Sequence, residues 1–373
     1  MSIPPVSNPP VSIPSPGRRR LPVGLALAVV YGVIPLALGD FGLSVLIFAG
    51  IFAIGAIGLD LLVGHAGQIS LGQAFFMAVG AYVGVNLGAE AGLALPVWVV
   101  AAAAAGGGLG AAVGLCALRL RGVYLAIITV GLVFVGLYLW NNVPALTGGA
   151  AGIGGRAPAA LGPLDFNRLQ VAGQVYSREQ AWFWLVWALV AASAVMAANL
   201  VGSRTGRAWH AVRQHELAAS AIGIDIRRSK VSAFAVAGAL GAVAGSVYFG
   251  YVQYVGPDEW GLFLSVQFVA IVLVGGTGRL AGPVLGALVL GGAPRLVEAV
   301  SDSLPIGGLG LTVANLNRLL FGLLVVCFVA LAPQGLVGGW EDVRRRVLAV
   351  RRRPVGAGEH AATESVATGE DQP

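Results

Sequence analysis

The chain has 373 residues, of which 57% are hydrophobic and only 11% charged, with a mean hydropathy of +0.82 and a formal net charge of +6. Soluble domains carry about 25% charge, so this composition excludes an ordinary soluble globular protein. The basic residues cluster beside apolar runs, which is the pattern of membrane topology signals and not of nucleic-acid binding. The apolar runs are helix-length, unlike the roughly ten-residue alternating segments of a membrane β-barrel. The chain is therefore read as an all-α polytopic membrane protein whose first partner is the lipid bilayer.

Residues 1–20 open the chain with a Pro- and Ser-rich stretch expected to be disordered and cytoplasmic, ending in Arg18-Arg19-Arg20. The proline-rich start and the lack of a small-residue cleavage site do not suit a signal peptide, so an uncleaved first helix is expected over 21–38. Further apolar runs predict helices at 43–63, 73–87, 95–118, 123–141, 180–201, 231–254, 262–274, 283–300 and 319–331. Together these are about ten spans of a bilayer about 30 Å thick. Alternation from a cytoplasmic N-terminus tests the count. It places Arg18 to Arg20, Arg119 with Arg121, the basic 202–230 loop, Arg279 and Arg344 to Arg346 on one side. Arg156, Arg168 and Arg178 in the long outer loop, and Arg295 and Arg318 near helix ends, fall on the other. The clustered charges obey the positive-inside rule, so ten helices with both termini cytoplasmic are expected. The tail over 341–373 is basic and then polar, and is expected to be disordered and cytoplasmic.

No catalytic constellation stands out, and no cofactor or metal is expected. The four histidines (His65, His210, His215, His360) form no ligand set. Cys116 and Cys327 are read as small core residues. Charge inside the membrane segments is nearly absent, which argues against an ion-coupled transporter. A P-loop needs a lysine after glycine, but the only lysine, Lys230, follows Ser229. The chain is expected to be no enzyme, and any ATP energy must come from another subunit.

Four features interrupt the apolar pattern. The long polar stretch 202–230 lies between two membrane-grade runs. Its middle, 208–221, has good helix formers, and Glu216 to Gly223 reads as a short amphipathic helix stopped by glycine and offered to a partner. Glu216 is expected to pair with basic residues of that partner or with nearby Arg213. Two glycine-rich breaks follow a second logic. The first is Gly64-His65-Ala66-Gly67-Gln68-Ile69-Ser70-Leu71-Gly72-Gln73, and the second is 275–283. Such breaks expose backbone polar groups, which are tolerated at membrane depth only where protein or a water-filled path satisfies them. They read either as the lining of a translocation path or as tight turns at helix ends; Gln68, Ser70 and Gln73 favour the path, and uncharged polar groups suit a solute without excess charge. In this reading the path residues are Gly67, Gln68, Ser70, Gln73, Gly275, Gly276 and Gly278, with Thr147, Gly148 and Gly149 of the outer loop. Finally, Gly80, Gly84 and Gly88, Gly106, Gly110 and Gly114, and Gly241 and Gly245 recur every four residues, the spacing of close helix–helix contacts.

The run Gly58-Leu59-Asp60-Leu61-Leu62-Val63-Gly64-His65-Ala66-Gly67-Gln68-Ile69-Ser70-Leu71-Gly72-Gln73 resembles the signature of LivM-type permease subunits of bacterial branched-chain amino-acid ABC importers. The resemblance continues through Leu146-Thr147-Gly148-Gly149, Gly206-Arg207-Ala208, Glu216-Leu217-Ala218-Ala219, 274–278, 282–287 and Ala332-Pro333-Gln334-Gly335-Leu336. It implies a type II ABC importer permease domain over 21–340, similar to the cobalamin importer permease. It further implies a second permease subunit (LivH type), two ABC ATPase subunits, an extracytoplasmic solute-binding protein and a bacterial plasma (inner) membrane location. In that family the loop after the sixth helix carries the coupling helix that contacts the ATPase; here this is the 202–230 loop, with Arg207, Glu216, Ala218, Ala219 and Gly223 as the coupling residues. Three positions depart from the pattern: His65 where the family often has an aromatic, Arg279 where a small residue is usual, and Gly256 where serine often precedes Pro257. They leave the fold in place and bear on the solute.

The reading is a permease that moves branched-chain or related hydrophobic amino acids, driven by separate ATPases. Two alternatives stand beside it: a urea or short-amide importer of the same architecture, and a stand-alone facilitator or channel with a regulatory loop.

Overall fold

The computed structural model describes residues 31–292, apart from Arg121, Gly162, Pro163, Arg168, Ala172 and Gly173, together with Leu319, Gly322, Leu323, Gly335 and Leu336. Runs without polar interruption become helices, and glycine or proline ends them. In chain order they are α1 (Asp40–Asp60), α2 (Gln73–Gly84), α3 (Leu95–Cys116), α4 (Val123–Asn142), the single turn α5 (Pro144–Thr147), α6 (Arg178–Gly202), α7 (Arg204–Gln214), α8 (Glu216–Ala221), α9 (Ile226–Val252), α10 (Leu262–Gly275) and α11 (Gly282–Leu290). Among the described residues five helices are long and apolar enough to cross a membrane, in α1, α3, α4, α6 and α9, and α10 is a shorter apolar helix. The expected spans over 43–63 to 262–274 thus have counterparts within a few residues. Of the first expected span only 31–38 is described, with 31–37 helical; most of the last expected span, much of 283–300 and the tail lie outside the described residues.

The centre of the body is α1, where every residue from Ile47 to Asp60 is buried. It packs against α6, α9, α10 and α11. The regular glycines bring backbones together. A Cβ at Gly114 would lie 2.9 Å from Val231 Cα, and Gly110 and Gly106 face Phe234 and Gly238 in turn, so α3 and α9 run antiparallel in close contact. On another face of α9, Gly241 meets Gln73 and Phe76 of α2, and Gly84 meets Phe249, so α2 and α9 run parallel. Gly88 beyond α2 faces Ala157 and Trp98. By contrast, α4 is buried along one seam only, through Leu125, Thr129, Val133 and Gly136. Cys116, expected in the core, is exposed at the end of α3.

The stretch between α5 and α6 adds short ladders at the end of the bundle remote from 202–230. β2 (Ala160–Leu161) pairs with β3 (Leu164–Asp165), and β4 (Gln170–Val171) with β5 (Gln174–Val175). β1 (Ile153–Gly154) pairs antiparallel with β6 (Tyr254–Val255), the segment directly after α9. Ser177 then starts α6 with a capping box: its Oγ accepts from Gln180 N at 3.3 Å, and its own N–H donates to Gln180 Oε1 at 3.0 Å.

Candidate functional site

The first break does more than turn the chain. Helix α1 passes into one π-helical turn, Leu61–His65, and Gly67 then takes φ +68°, a conformation that favours glycine. From there the chain climbs back beside α1. Gln73 Nε2 donates to Gly55 O at 2.9 Å, so α2 begins roughly three helical turns back along α1 from His65. The non-helical backbone over 66–72 is therefore held inside the bundle, where its donors need protein partners. Gln68 N–H donates to Leu62 O (3.0 Å), Leu71 N–H to Thr129 Oγ1 (2.9 Å), and Ala74 N–H, at the start of α2, to Ser265 Oγ (3.1 Å). Gln68, Ser70 and Gln73 are buried with it, and Gly67 is exposed.

The second break lies against the first. Gly276 and Gly278 have φ +108° and +74°, and Gly278 N–H donates to Asp60 Oδ1 at 2.7 Å. Asp60 is 1% exposed and stands at the end of an otherwise apolar helix. It is a charge that the nearly apolar membrane segments do carry, and this carboxylate ties the two breaks together. Its sequence signal was a lone carboxylate one helical turn before a glycine. His65 Nδ1 is 3.6 Å from Asp60 Oδ2. The His65 ring meets that of His210 with centroids 5.2 Å apart, so the departure at 65 still supplies a ring to an aromatic-type contact. Gly335 also reaches the second break, since a Cβ there would sit 2.6 Å from Gly276 Cα.

The 202–230 stretch is fastened to α9 by Trp209 and to this junction by Arg213. Ser203 caps α7 by accepting from Thr205 N and Gly206 N. Buried Trp209 donates from Nε1 to Ser232 Oγ of α9 at 3.1 Å, and the Arg213 guanidinium donates to Gly64 O of the first break. His215 is extended (φ −159°, ψ 105°), which divides the expected helix former run into α7 and α8. Helix α8 ends in a Schellman turn: Ile224 N–H bonds Ala219 O, Gly223 N–H bonds Ser220 O, and Gly223 has φ +85°. Glu216 pairs with Lys230 at 2.7 Å. Lys230, 2% exposed at the start of α9, is a partner that the sequence reading did not name.

The other coupling residues divide by exposure. Arg207 is exposed and donates to Gly202 O at 3.0 Å; Ala218 and Gly223 are exposed; Ala219 is buried. Sequence reasoning missed Leu217 and Ile222, which are 72% and 75% exposed on the same short helix and its cap. Thr147, Gly148 and Gly149 do not join the break residues. They sit beyond the far end of α4, where Thr147 Oγ1 donates to Trp140 O and Val143 O. There Thr147 borders a groove of about 500 Å³ lined by Val79, Tyr82, Asn86 and Trp140 among others.

The family described as "Branched-chain amino acid transport system / permease component" matches residues 41–329. The high-affinity branched-chain amino acid transport system permease protein LivM of Escherichia coli (strain K12) is 30% identical over 311 residues, covering 77% of this chain and 68% of that protein. Its counterpart of Salmonella typhimurium is 28% identical over 337 residues, covering 84% and 74%. The autoinducer 2 import system permease protein LsrC of Enterobacter sp. (strain 638) is 30% identical over 286 residues, covering 73% and 77%. No solved structure matches. With the family pattern running from the start of α1 through the second break and beyond, the chain belongs to the permease components of branched-chain amino acid transport systems, of the LivM type.

Proposed function

We propose that the chain is the permease subunit of an ATP-binding-cassette importer that carries branched-chain or related hydrophobic amino acids across a bacterial plasma membrane. In this reading it has about ten transmembrane helices of the type II arrangement over 21–340, with both termini cytoplasmic and a cytoplasmic tail over 341–373. It works with a second permease of LivH type, two ATPase subunits and an extracytoplasmic solute-binding protein. The observation that carries the reading is α8: a short helix with Leu217 and Ile222 turned outward, pinned from behind by the Glu216–Lys230 pair. Exposed apolar side chains on a charged loop suit a protein groove. Arg207, Ala218 and Gly223 flank that surface, Ala219 packs beneath it, and Glu216 acts through Lys230. The path residues are those of the two breaks, with Thr147, Gly148 and Gly149 at the far mouth.

The test is reconstitution with the two ATPases, the second permease and the binding protein, measuring ATP hydrolysis and uptake of labelled leucine. Leucine should raise ATP hydrolysis and accumulate inside the vesicles. The double variant L217D/I222D is expected to lose ATPase co-purification at least tenfold at unchanged yield, because fully exposed positions tolerate the change in the free chain while an apolar anchor in a groove does not. Wild-type co-purification of that variant would remove α8 from the interface. A chain that moves solute without any ATPase would favour the facilitator. Urea and autoinducer 2 belong in the same uptake assay, the latter because the LsrC relative carries that solute in its name.

A further inference from the structure

We propose that Asp60 and Arg213 form a latch that holds the two helix breaks together, and that withdrawal of α7 releases it. The proposal rests on the importer reading and adds to it the residues that pass movement of the loop to the breaks. Three separate parts of the chain converge at this point. Asp60, at the end of the central helix, holds the second break through Gly278 N–H at 2.7 Å. Arg213, on the loop, holds the first break through Gly64 O. The two contacts adjoin, because a Cβ built on Gly278 would stand 3.6 Å from Arg213 Nη1 and 3.2 Å from Gly64 O. The stem of Arg213 also lies over Gly67, where a Cβ would be 2.7 Å from Arg213 Cγ.

The carboxylate itself is half used. Asp60 Oδ1 is bonded, whereas buried Oδ2 accepts no hydrogen bond from the described residues, and His65 Nδ1 stays 3.6 Å away. A buried carboxylate oxygen in that condition is costly unless a cation stands near, and Arg213 is the cation of the loop that stands beside Gly278 and Gly64. The two halves of the latch also differ in how they can move. Asp60 ends the stretch of α1, from Ile47 on, that is buried on all sides. Arg213 belongs to an eleven-residue helix bounded by extended Ser203 and extended His215. Rotation about those two residues takes Arg213 off Gly64 without breaking a transmembrane helix. Gly64 then loses its donor, and Asp60, which holds Gly278 of the second break, loses the nearby positive charge. Both residues are positioning residues: neither needs to touch the solute.

The test uses the complete complex in vesicles and reads solute delivered per ATP hydrolysed. For Asp60→Leu and Arg213→Gln this ratio is expected to fall roughly tenfold, while hydrolysis stimulated by loaded binding protein stays within about twofold. Asp60→Asn keeps an acceptor for Gly278 and should recover at least about a third of the wild-type ratio, and the double variant D60L/R213Q should be no worse than the poorer single variant, as for two parts of one unit. Arg213 is exposed, so R213Q reports even if D60L fails to fold. A wild-type ratio in R213Q, D60N as impaired as D60L, or losses that multiply in the double variant would each overturn the latch. A wild-type complex that shows no ATP-dependent uptake would instead overturn the importer reading, which separates the two failures.

Discussion

Lys230→Met is expected to cut ATP-dependent uptake at least tenfold and to make the 202–230 loop an early target of limited proteolysis. Lys230 is 2% exposed and its partner Glu216 is 20% exposed. Removing one member of a fully buried pair costs about 3–5 kcal/mol, and Glu216, 20% exposed, puts this case at the lower end. The loss falls where the structure is weakest on its own. Helix α8 has six residues, too few to hold a helix without tertiary support. Without Lys230 it keeps its Schellman turn but loses the ion pair that ties it to the start of α9. Adding Glu216→Gln to Lys230→Met should restore part of the uptake, because a neutral pair leaves no buried charge unpaired. If K230M alone kept uptake within about twofold, the ion pair would be a bystander and α8 would be held by other contacts.

Gly245→Val and Gly80→Val should each abolish recovery of folded protein, whereas Gly131→Val should leave yield and melting temperature unchanged. At Gly245 a Cβ would lie 2.6 Å from Met77 C and 3.0 Å from Ala81 N; at Gly80 it would lie 2.5 Å from Ala242 Cα. These neighbours are backbone, so no rotamer change relieves the clash. The helices must part, which costs more than the 1–3 kcal/mol or so typical of overpacking against side chains. The same crossing would then lose the close contact that membrane helices depend on. Gly131, on α4, has nothing within 4 Å of a Cβ and is the internal control. Size-exclusion profiles and thermal unfolding in detergent decide it; a monodisperse G245V that melts with the wild type would mean that α2 and α9 do not meet as described.

What could be read from the residues depended on how local the cause was. The helices follow from uninterrupted apolar runs, and the four-residue glycine spacing fell at the α2–α9 and α3–α9 contacts. The two breaks announced themselves by glycine mixed with uncharged polar residues. Their meeting did not, because Asp60 and Gly278 stand 218 residues apart. In the sequence Asp60 looks like punctuation at a helix end. Glu216 and Lys230 were both visible as charges. Their pairing depends on the left-handed turn at Gly223, which folds α8 back onto the start of α9. The division at His215 had no glycine or proline to mark it. Leu217 and Ile222 read as ordinary apolar positions of an amphipathic helix, and only the burial of Ala219 on the opposite side shows that they face outward.

Helix α9 is 27 residues long, about 40 Å from end to end. Its first turns carry Lys230 and Ser232, which grip α8 and α7; directly after its last turn, Tyr254–Val255 is hydrogen-bonded to Ile153–Gly154 of the far loop. Between those ends glycine contacts seat it against α2 and α3 with no slack to absorb a displacement. The bundle thus has a connecting rod: one helix joins the loop surface to the far loop, passing beside the first break on its way. A load on the 202–230 loop therefore meets a single continuous helix whose other end is hydrogen-bonded to the far loop.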